Sequence, residues 1–284
     1  MADVIALLLD TLSFTLTLLL VTLGLVVIFG MMNVINMAHG EFFLIGAYVV
    51  VMITGAGGSF WLGLLLAPLV LAALGLALEW LVIRHIYHRF IDTILATWGI
   101  SLALKQTVTI IFGPGSQSIP NPLPGALVLF GIDYPIYRLF IMAMGLALAA
   151  GTYVVFFRTP IGLMARGVIA NRAMAASLGI NTRRMDLATF AFGAALAGFA
   201  GAVMSPIMSV DPQMGVGFLV PSFLAVLVGG VNSLVGVVLG SAIIGGTTTG
   251  VSAYISQADA QILVFLLAML VIRFFPNGLT GRKR

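Results

Sequence analysis

The stretch NVINMAHGE, residues 33–41, places two asparagines, a histidine and a glutamate between two apolar runs. Amide, imidazole and carboxylate groups can bind a small polar solute or pass protons, and they can also cap helices. The spacing of His39 and Glu41 is not that of the HExxH zinc motif. The stretch is either a short cytoplasmic turn, with Asn33 and Asn36 as helix caps and Glu41 in the first turn of the next helix, or an interruption of a membrane-spanning segment beside a solute path.

A second group of polar side chains lies in the otherwise apolar segment 91–112. Thr97, Ser101 and Lys105 are spaced by four residues, so one face of a helix presents all three, and Trp98 lies near the middle of the same segment. An ionisable residue inside an apolar segment indicates a functional site. The alternative for Lys105 is that its long stem carries the ammonium toward the outer membrane surface. The segment is therefore a candidate to line a solute path.

A second interruption is predicted at GGVNSLVG, residues 229–236, where Asn232 follows two glycines inside a long uncharged run. Broken apolar segments in both halves of a transporter point to its pathway. Asn232 therefore joins the candidate pathway residues.

Motifs for catalysis are missing from the sequence. No GxxxxGK[ST] pattern occurs, so the chain has no P-loop for ATP. It contains no cysteine, which excludes thiol chemistry, and no recognisable Ser/His/Asp signature. We therefore expect no catalytic residue, metal or cofactor in this chain, and we do not expect an enzyme.

The elements that must position these polar groups are strongly apolar. Of 284 residues, 61% are hydrophobic and 8% are charged, with a mean hydropathy of +1.18, whereas soluble domains carry about 25% charged residues. Several uncharged runs reach the roughly 20 residues that cross a bilayer, and they lack the alternation of barrel strands. The predicted fold class is all-α: a polytopic membrane bundle of eight or nine transmembrane helices with broken or re-entrant segments, in one domain over residues 1–284.

The charge distribution predicts the orientation of the bundle. Basic clusters at 84–89, 158–184 and 273–284 are expected in the cytoplasm, and the Gly/Pro-rich stretch 113–125 is expected outside. The N-terminus is then periplasmic and the C-terminus cytoplasmic, which requires an odd number of crossings. Residues 219–231 are the candidate for a ninth crossing, as a half-helix. This distribution also explains the basic pI of about 9.8 without any binding of nucleic acid. The other helices are predicted at 5–29, 41–56, 60–83, 92–112, 137–157, 187–208, 235–254 and 260–275.

The longest polar connection, residues 158–186, contains five arginines and an amphipathic stretch that Gly179 is placed to end. A short helix parallel to the membrane is predicted here. It serves either as an interfacial anchor or as a docking element for a soluble cytoplasmic partner. Its apolar residues are Met164, Val168, Met174 and Leu178, and its polar residues are Arg166, Asn171 and Arg172.

Three stretches together closely resemble the permease subunits of ABC importers of the branched-chain amino acid type. They are NVINMAHGEFFLIGAY, NRAMAASLGIN and FLAVLVGGVNSLVGVVLGSAI, and the resemblance covers essentially the whole chain. Two further stretches, 92–102 and 204–215, look more like the urea and short-chain amide branch of that family than like the leucine branch.

The resemblance implies a bacterial inner-membrane protein that pairs with a second, homologous permease to form one pathway. It also implies two cytoplasmic ATPase subunits, which bind ATP and magnesium, and a periplasmic solute-binding protein. By similarity, residues 171–180 form a coupling helix that fits a groove on an ATPase. The residues expected to couple to the ATPase are Arg166, Asn171, Arg172, Ala175, Ala176, Leu178 and Gly179. Many relatives carry an acidic residue where this chain has Ala173, which puts a specific salt bridge at that position in doubt.

The expected function is ATP-driven import of a small polar solute by alternating access, with urea or a short-chain amide favoured and a branched-chain amino acid next. The alternative is a passive channel or ion-coupled transporter for a small amide. In that case His39, Glu41 and Lys105 would act as relay residues.

Overall fold

A computed structural model of the chain describes residues 2–87, 89–231 and 233–280. Across these residues the chain forms eleven α-helices, a short 3₁₀ turn at Ile83–His85 and one two-stranded hairpin. The helices are α1 (Ala2–Met32), α2 (His39–Gly55), α3 (Phe60–Leu81), α4 (Phe90–Phe112), α5 (Ile136–Arg158), α6 (Pro160–Ala170), α7 (Arg172–Ser177), α8 (Thr182–Met204), α9 (Met214–Gly229), α10 (Leu234–Ser252) and α11 (Gln257–Phe274). The strands are β1 (Ala126–Leu129) and β2 (Ile132–Pro135).

Two long helices, α1 and α8, form the centre of the bundle. The most apolar part of α1 is 83% buried and that of α8 is 72% buried, against 17–33% for α3, α4, α5 and α10. A helix that is apolar on every side must be surrounded by protein or lipid. Because α1 and α8 are surrounded by other helices, the flanking helices are left to expose apolar side chains outward, as a membrane protein requires.

The helices cross the bundle nine times in the described part of the chain. Six of them are long and apolar enough to span a membrane. Helix α11 adds another pass, and the shorter helices α2 and α9 each complete a pass together with an irregular segment, residues 33–38 and 205–213. This arrangement confirms the predicted polytopic bundle with broken segments. The half-helix expected at 219–231 is α9, which begins five residues earlier than predicted.

Further differences from the sequence prediction lie in α8, which begins at Thr182 rather than at residue 187, and in the stretch 229–236. Helix α8 ends at Met204 rather than at residue 208, because the chain turns into the irregular segment 205–213. The glycines and serine at 229–236 do not interrupt a helix in mid-bundle. They form the turn in which α9 ends at Gly229 and α10 begins after the capping residue Ser233. Asn232 lies outside the described residues.

The hairpin was not predicted. Its two-residue turn, Phe130–Gly131, has positive φ values of 53° and 83°, which is the conformation that two-residue hairpins require. The hairpin is held against α1 because the Tyr134 hydroxyl donates to the Leu9 carbonyl at 3.2 Å and Arg138 pairs with Asp10. The end of the bundle that holds β1 and β2 is called the hairpin end below.

Arginines gather at the opposite end of the bundle, called the basic end below. They follow α3, end α5, lie on the short helices α6 and α7, and occur in the first turn of α8 and the last turn of α11. The described arginines at this end are Arg84, Arg89, Arg158, Arg166, Arg172, Arg183, Arg184 and Arg273. Arg138, at the hairpin end, is neutralised by Asp10.

Close packing of α8 against α2 generates a prediction about Gly201. A Cβ at this position would collide with the Phe43 carbonyl oxygen, whereas a Cβ at Gly151 of α5 would meet nothing within 4 Å. We expect Gly201→Ala to lower the free energy of unfolding by about 1–3 kcal/mol through overpacking. Gly151→Ala should be neutral or stabilise by up to about 1 kcal/mol through helix propensity. Thermal unfolding in detergent measures both, and equal effects would contradict the packing described here.

Candidate functional site

The irregular segment 33–38 runs back alongside α1 instead of turning at the basic end. Asn33, with φ of 52°, ends α1, and its N–H donates to the Phe29 carbonyl at 2.9 Å. His39, the first residue of α2, lies with Nε2 3.0 Å from the carbonyl oxygen of Val21. Val21 precedes the end of α1 by eleven residues, or about 16 Å of helix. Helix α2 therefore begins deep inside the bundle, so residues 33–41 interrupt the helical backbone there and do not form a turn at the end of the bundle.

Polar side chains satisfy the exposed backbone of this segment. The Thr97 hydroxyl of α4 accepts a hydrogen bond from the Met37 N–H at 3.1 Å, and the Asn36 side-chain oxygen accepts one from the Ala38 N–H at 3.0 Å. Non-helical backbone at membrane depth is tolerated only when such partners exist. Thr97 and Asn36 are thus required for the interruption itself, and the two polar stretches singled out in the sequence meet in space.

A polar cluster forms where α2, α4 and the segment 205–213 meet. The buried Glu41 carboxyl lies near the Ser101 hydroxyl and within electrostatic reach of the Lys105 ammonium. Lys105 Nζ donates to Gln213 Oε1 at 3.3 Å. Glu41, Ser101, Lys105 and Gln213 are called the polar cluster below. The Lys105 ammonium therefore has a hydrogen-bond partner within the chain.

The second irregular segment leads into α9 in the same way. Val210 exchanges two backbone hydrogen bonds with Gln117, at 2.8 and 2.9 Å. The Asp211 side chain then accepts from the Gln213 N–H at 2.8 Å, which directs the chain into α9. The residue patterns did not single out Gln213 as a neighbour of Lys105. Two polar residues, Asp211 and Gln213, flank a proline within an apolar region, and this is the signal that could have indicated it.

The N-termini of α2 and α9 meet at the polar cluster. A Cβ at Gly40 would lie 2.7 Å from the Gly215 carbonyl oxygen, so the two backbones touch. From this point α2 runs to the hairpin end, where Tyr48 packs on Phe112 at the end of α4 with ring centroids 4.6 Å apart. Helix α9 runs to the basic end, where Val231 follows it. The result is a pair of half-helices that point away from each other with their positive ends together.

The contacts around the half-helices show an inverted arrangement of the two halves. Helix α1 leads through an irregular segment to α2, and α8 leads through another to α9. Helix α3, which follows α2, packs on α8, and α10, which follows α9, packs on α1. The two stretches share little sequence, so this relation could not be detected from residue patterns.

The remaining pathway candidates occupy different environments. His39 is fully buried, and its Nδ1 atom, like Nδ2 of Asn36, has no hydrogen-bond partner among the described residues. Trp98 is 54% exposed on the outer side of α4 and is not part of the polar cluster. Asn33 lines a cavity of about 1000 Å³ at the basic end, together with Arg172 and Ser233.

The loop 158–186 contains two helices where one was predicted. Asn171 separates them: its N–H donates to the Gly167 carbonyl at 3.0 Å at the end of α6, and its side chain caps α7 by accepting from the Met174 N–H at 2.9 Å. Gly179 has φ of 85°. The N–H groups of Gly179 and Ile180 return to the carbonyls of Ala176 and Ala175, both at 3.0 Å, which is a Schellman motif. Gly179 thus ends α7, as predicted.

Helix α7 presents an apolar surface to solvent. Leu178 is 75% exposed and Met174 is 57% exposed, and Ala176 and Gly179 are also exposed. Ala175 is buried under them. Two arginines of this loop are engaged inside the chain: the Arg166 guanidinium lies 5.0 Å from the Phe157 ring centroid, and Arg172 pairs with Asp186.

Paired half-helices that meet inside a bundle of membrane-spanning helices are typical of membrane transport proteins. The family model for the permease component of branched-chain amino acid transport systems matches residues 7–273, and the chain belongs to this family. It is a membrane permease of the branched-chain amino acid ABC importer type.

The LivH relatives are similar over nearly their whole length. The high-affinity branched-chain amino acid permease proteins LivH of Salmonella typhimurium LT2 and of Escherichia coli K12 are 29% identical over 281 residues, covering 93% of this chain and 91% of each relative. LivM of E. coli K12 is 26% identical over 257 residues, covering 81% of this chain and 60% of LivM. No solved structure gives a significant match. These relatives confirm the resemblance but do not support the predicted preference for urea.

The role of Thr97 in the interruption generates a matched prediction on α4. Thr97 and Thr107 each lie 2.8 Å from the carbonyl four residues earlier, but Thr97 alone of these two accepts from the Met37 N–H. We expect Thr97→Val to leave the N–H of the half-buried Met37 unpaired and to lower the free energy of unfolding by about 1–3 kcal/mol. Thr107→Val, on an exposed face, should change it by less than about 0.5 kcal/mol. Chemical unfolding in detergent compares them, and a larger effect at Thr107 would contradict this role.

Proposed function

We propose that this chain is one of two permease subunits in an ATP-driven importer that carries a small zwitterionic amino acid into the cytoplasm. The polar cluster supports this most strongly, because it places a carboxylate, Glu41, and an ammonium, Lys105, beside the positive ends of two half-helices. A zwitterion presents the complementary pair of charges, whereas urea presents neither. Relatives named for branched-chain amino acid transport support the same class of solute.

The second permease covers the face between α4 and α9. Gln106 and Gln213 are exposed on this face, and Lys105 is half-buried there. Ionisable and amide side chains at membrane depth face protein or water rather than lipid. A homologous permease on this face would complete the pathway, and E. coli K12 has two permease proteins, LivH and LivM, named for one such system.

The basic end faces the cytoplasm by the positive-inside rule, with the N-terminus in the periplasm and the C-terminus in the cytoplasm. The exposed apolar surface of α7, with Leu178 and Met174, then lies where two cytoplasmic ATPase subunits dock and supply ATP and magnesium. The hairpin end receives the periplasmic solute-binding protein. Closure of the ATPases moves α7, and the bundle alternates between outward-open and inward-open states around the polar cluster.

The role of Lys105 can be tested in the importer purified with its partner subunits and reconstituted in liposomes. Lys105→Gln removes the charge that would hold a carboxylate, and uptake of leucine should fall about tenfold, the loss expected for one charged hydrogen bond. Lys105→Arg keeps the charge and should retain most of the uptake. Unchanged uptake by Lys105→Gln would contradict the pathway role. Uptake of urea in place of amino acids would contradict the proposed solute, and uptake by the chain alone without ATP would favour a passive channel.

The role of α7 in docking predicts a difference between two substitutions of Gly179. A β-branched residue cannot adopt φ of 85° without strain of about 1–3 kcal/mol, whereas asparagine tolerates this region. A Cβ at Gly179 meets nothing within 4 Å, so size is not limiting inside the chain. We expect Gly179→Val to reach the membrane in normal amounts but to lose most ATP-dependent uptake, and Gly179→Asn to keep it. Normal uptake by Gly179→Val would count against α7 as the coupling element.

A further inference from the structure

Four side chains at the basic end form a continuous network between α7 and the transmembrane helices. Arg172, the first residue of α7, donates two hydrogen bonds to Asp186 of α8, one of them from Nη1 to Oδ1 at 3.2 Å. The same guanidinium lies 6.0 Å from the ring centroid of Tyr87. The Tyr87 hydroxyl donates to the Glu79 carboxylate of α3. Glu79, Tyr87, Arg172 and Asp186 are called the basic-end network below. Arg84, which is nearer to Glu79 in sequence, lies over the Trp80 ring.

The network is built from buried charges that depend on one another. The Asp186 side chain is fully buried and that of Arg172 is 43% exposed, and Glu79 is also buried. The hydrogen bond with Asp186 raises the pKa of Arg172. Burial, with a further contribution from Glu79, raises the pKa of the Tyr87 hydroxyl, so it stays a donor. A buried carboxylate persists only when it is paired, and the two-pronged arginine contact fixes direction as well as distance.

Helix α7 has little else to hold it. It contains six residues, of which Ala175 is buried and the other five are exposed. A helix of this length is not stable by itself. At its N-terminus, Asn171 alone separates α7 from α6. The Arg172–Asp186 pair therefore decides whether α7 moves together with α8 or independently of it.

From the network, contacts continue to the polar cluster along two elements. On α8, Phe190 lies one turn after Asp186 and packs edge-on against Phe42 of α2, with ring centroids 6.0 Å apart. Phe42 is adjacent to Glu41. The second element is the connection that carries Tyr87, which leads directly into α4 and its residues Ser101 and Lys105.

We propose that Arg172 and Asp186 are positioning residues for transport, which join α7 to α8 so that a displacement of α7 by the ATPases reaches both halves of the polar cluster. This inference rests on the proposed function. It also gives Arg172 a role different from the sequence-based prediction of a direct contact to the ATPase. Arg172 then finds its carboxylate partner, Asp186, within the chain. The residue that follows Arg172 is Ala173, which carries no charge.

The test separates coupling from stability by removing both charges at once. Arg172→Met alone strands the buried Asp186 carboxylate, whereas the double variant Arg172→Met with Asp186→Leu replaces the pair with apolar side chains, which folding tolerates. Arg183→Met is the matched control, since Arg183 is an exposed arginine of α8. The importer is purified with its partner subunits and reconstituted, and we would measure thermal unfolding, ATP hydrolysis and leucine uptake for each variant.

We expect the double variant to assemble and unfold like the parent protein but to transport at least about fivefold less leucine per ATP hydrolysed, the low end of typical coupling effects. Arg172→Lys, which keeps one charged hydrogen bond, should give an intermediate ratio, and Arg183→Met should keep the parent ratio. A double variant with the parent ratio would overturn the inference, as would losses of uptake that only follow the amount of assembled complex. If the parent complex itself shows no ATP-dependent uptake, the proposed function fails, and this inference with it.

Discussion

The structure depends on one constraint: two stretches of non-helical backbone lie inside a bundle whose surroundings offer no water. An unpaired peptide group in such an environment costs several kcal/mol. The Met37 N–H is therefore paired with Thr97 on α4, and Val210 is paired with Gln117 in the connection that follows α4. Because both segments require partners on or just after α4, this helix must lie beside the meeting point of the half-helices. That position brings Ser101 and Lys105 to Glu41.

The meeting of two helix N-termini would by itself place two partial positive charges together. Glu41, in the first turn of α2, supplies negative charge at this point, and the backbones of Gly40 and Gly215 approach as closely as they do because neither has a side chain. A site that combines fixed donors with one carboxylate can exchange its internal partners for those of a solute. The central helix α8 reaches from this site to the basic end, so one helix connects the polar cluster to the exposed surface of α7.

Hydropathy was sufficient to predict the long helices, and residue type was sufficient to single out Glu41, Ser101 and Lys105. Neither could decide between a capped turn and an interrupted helix at 33–41, because asparagine and glycine serve in both. For the same reason, the sequence prediction located the second interruption at 229–236. In the structure that stretch is a turn between two helices, and the second interruption is at 205–213. Gln213 was missed because its partner Lys105 is 108 residues away. Arg172 was assigned to a partner protein because its internal partner, Asp186, is recognisable only once α7 and α8 are placed together.

The candidate site depends on the start of α9 lying inside the bundle, beside the middle of α4. Because the sequence contains no cysteine, the pair Lys105→Cys and Gln213→Cys can be tested in membranes with a short bifunctional maleimide, and mass spectrometry of the digested chain identifies the linked peptides. We expect rapid cross-linking within one chain for this pair, and none when Gln213→Cys is replaced by Ser233→Cys, which lies beyond the far end of α9 at the start of α10. Cross-linking of position 105 to 233 but not to 213 would contradict the half-helix arrangement, and with it the site.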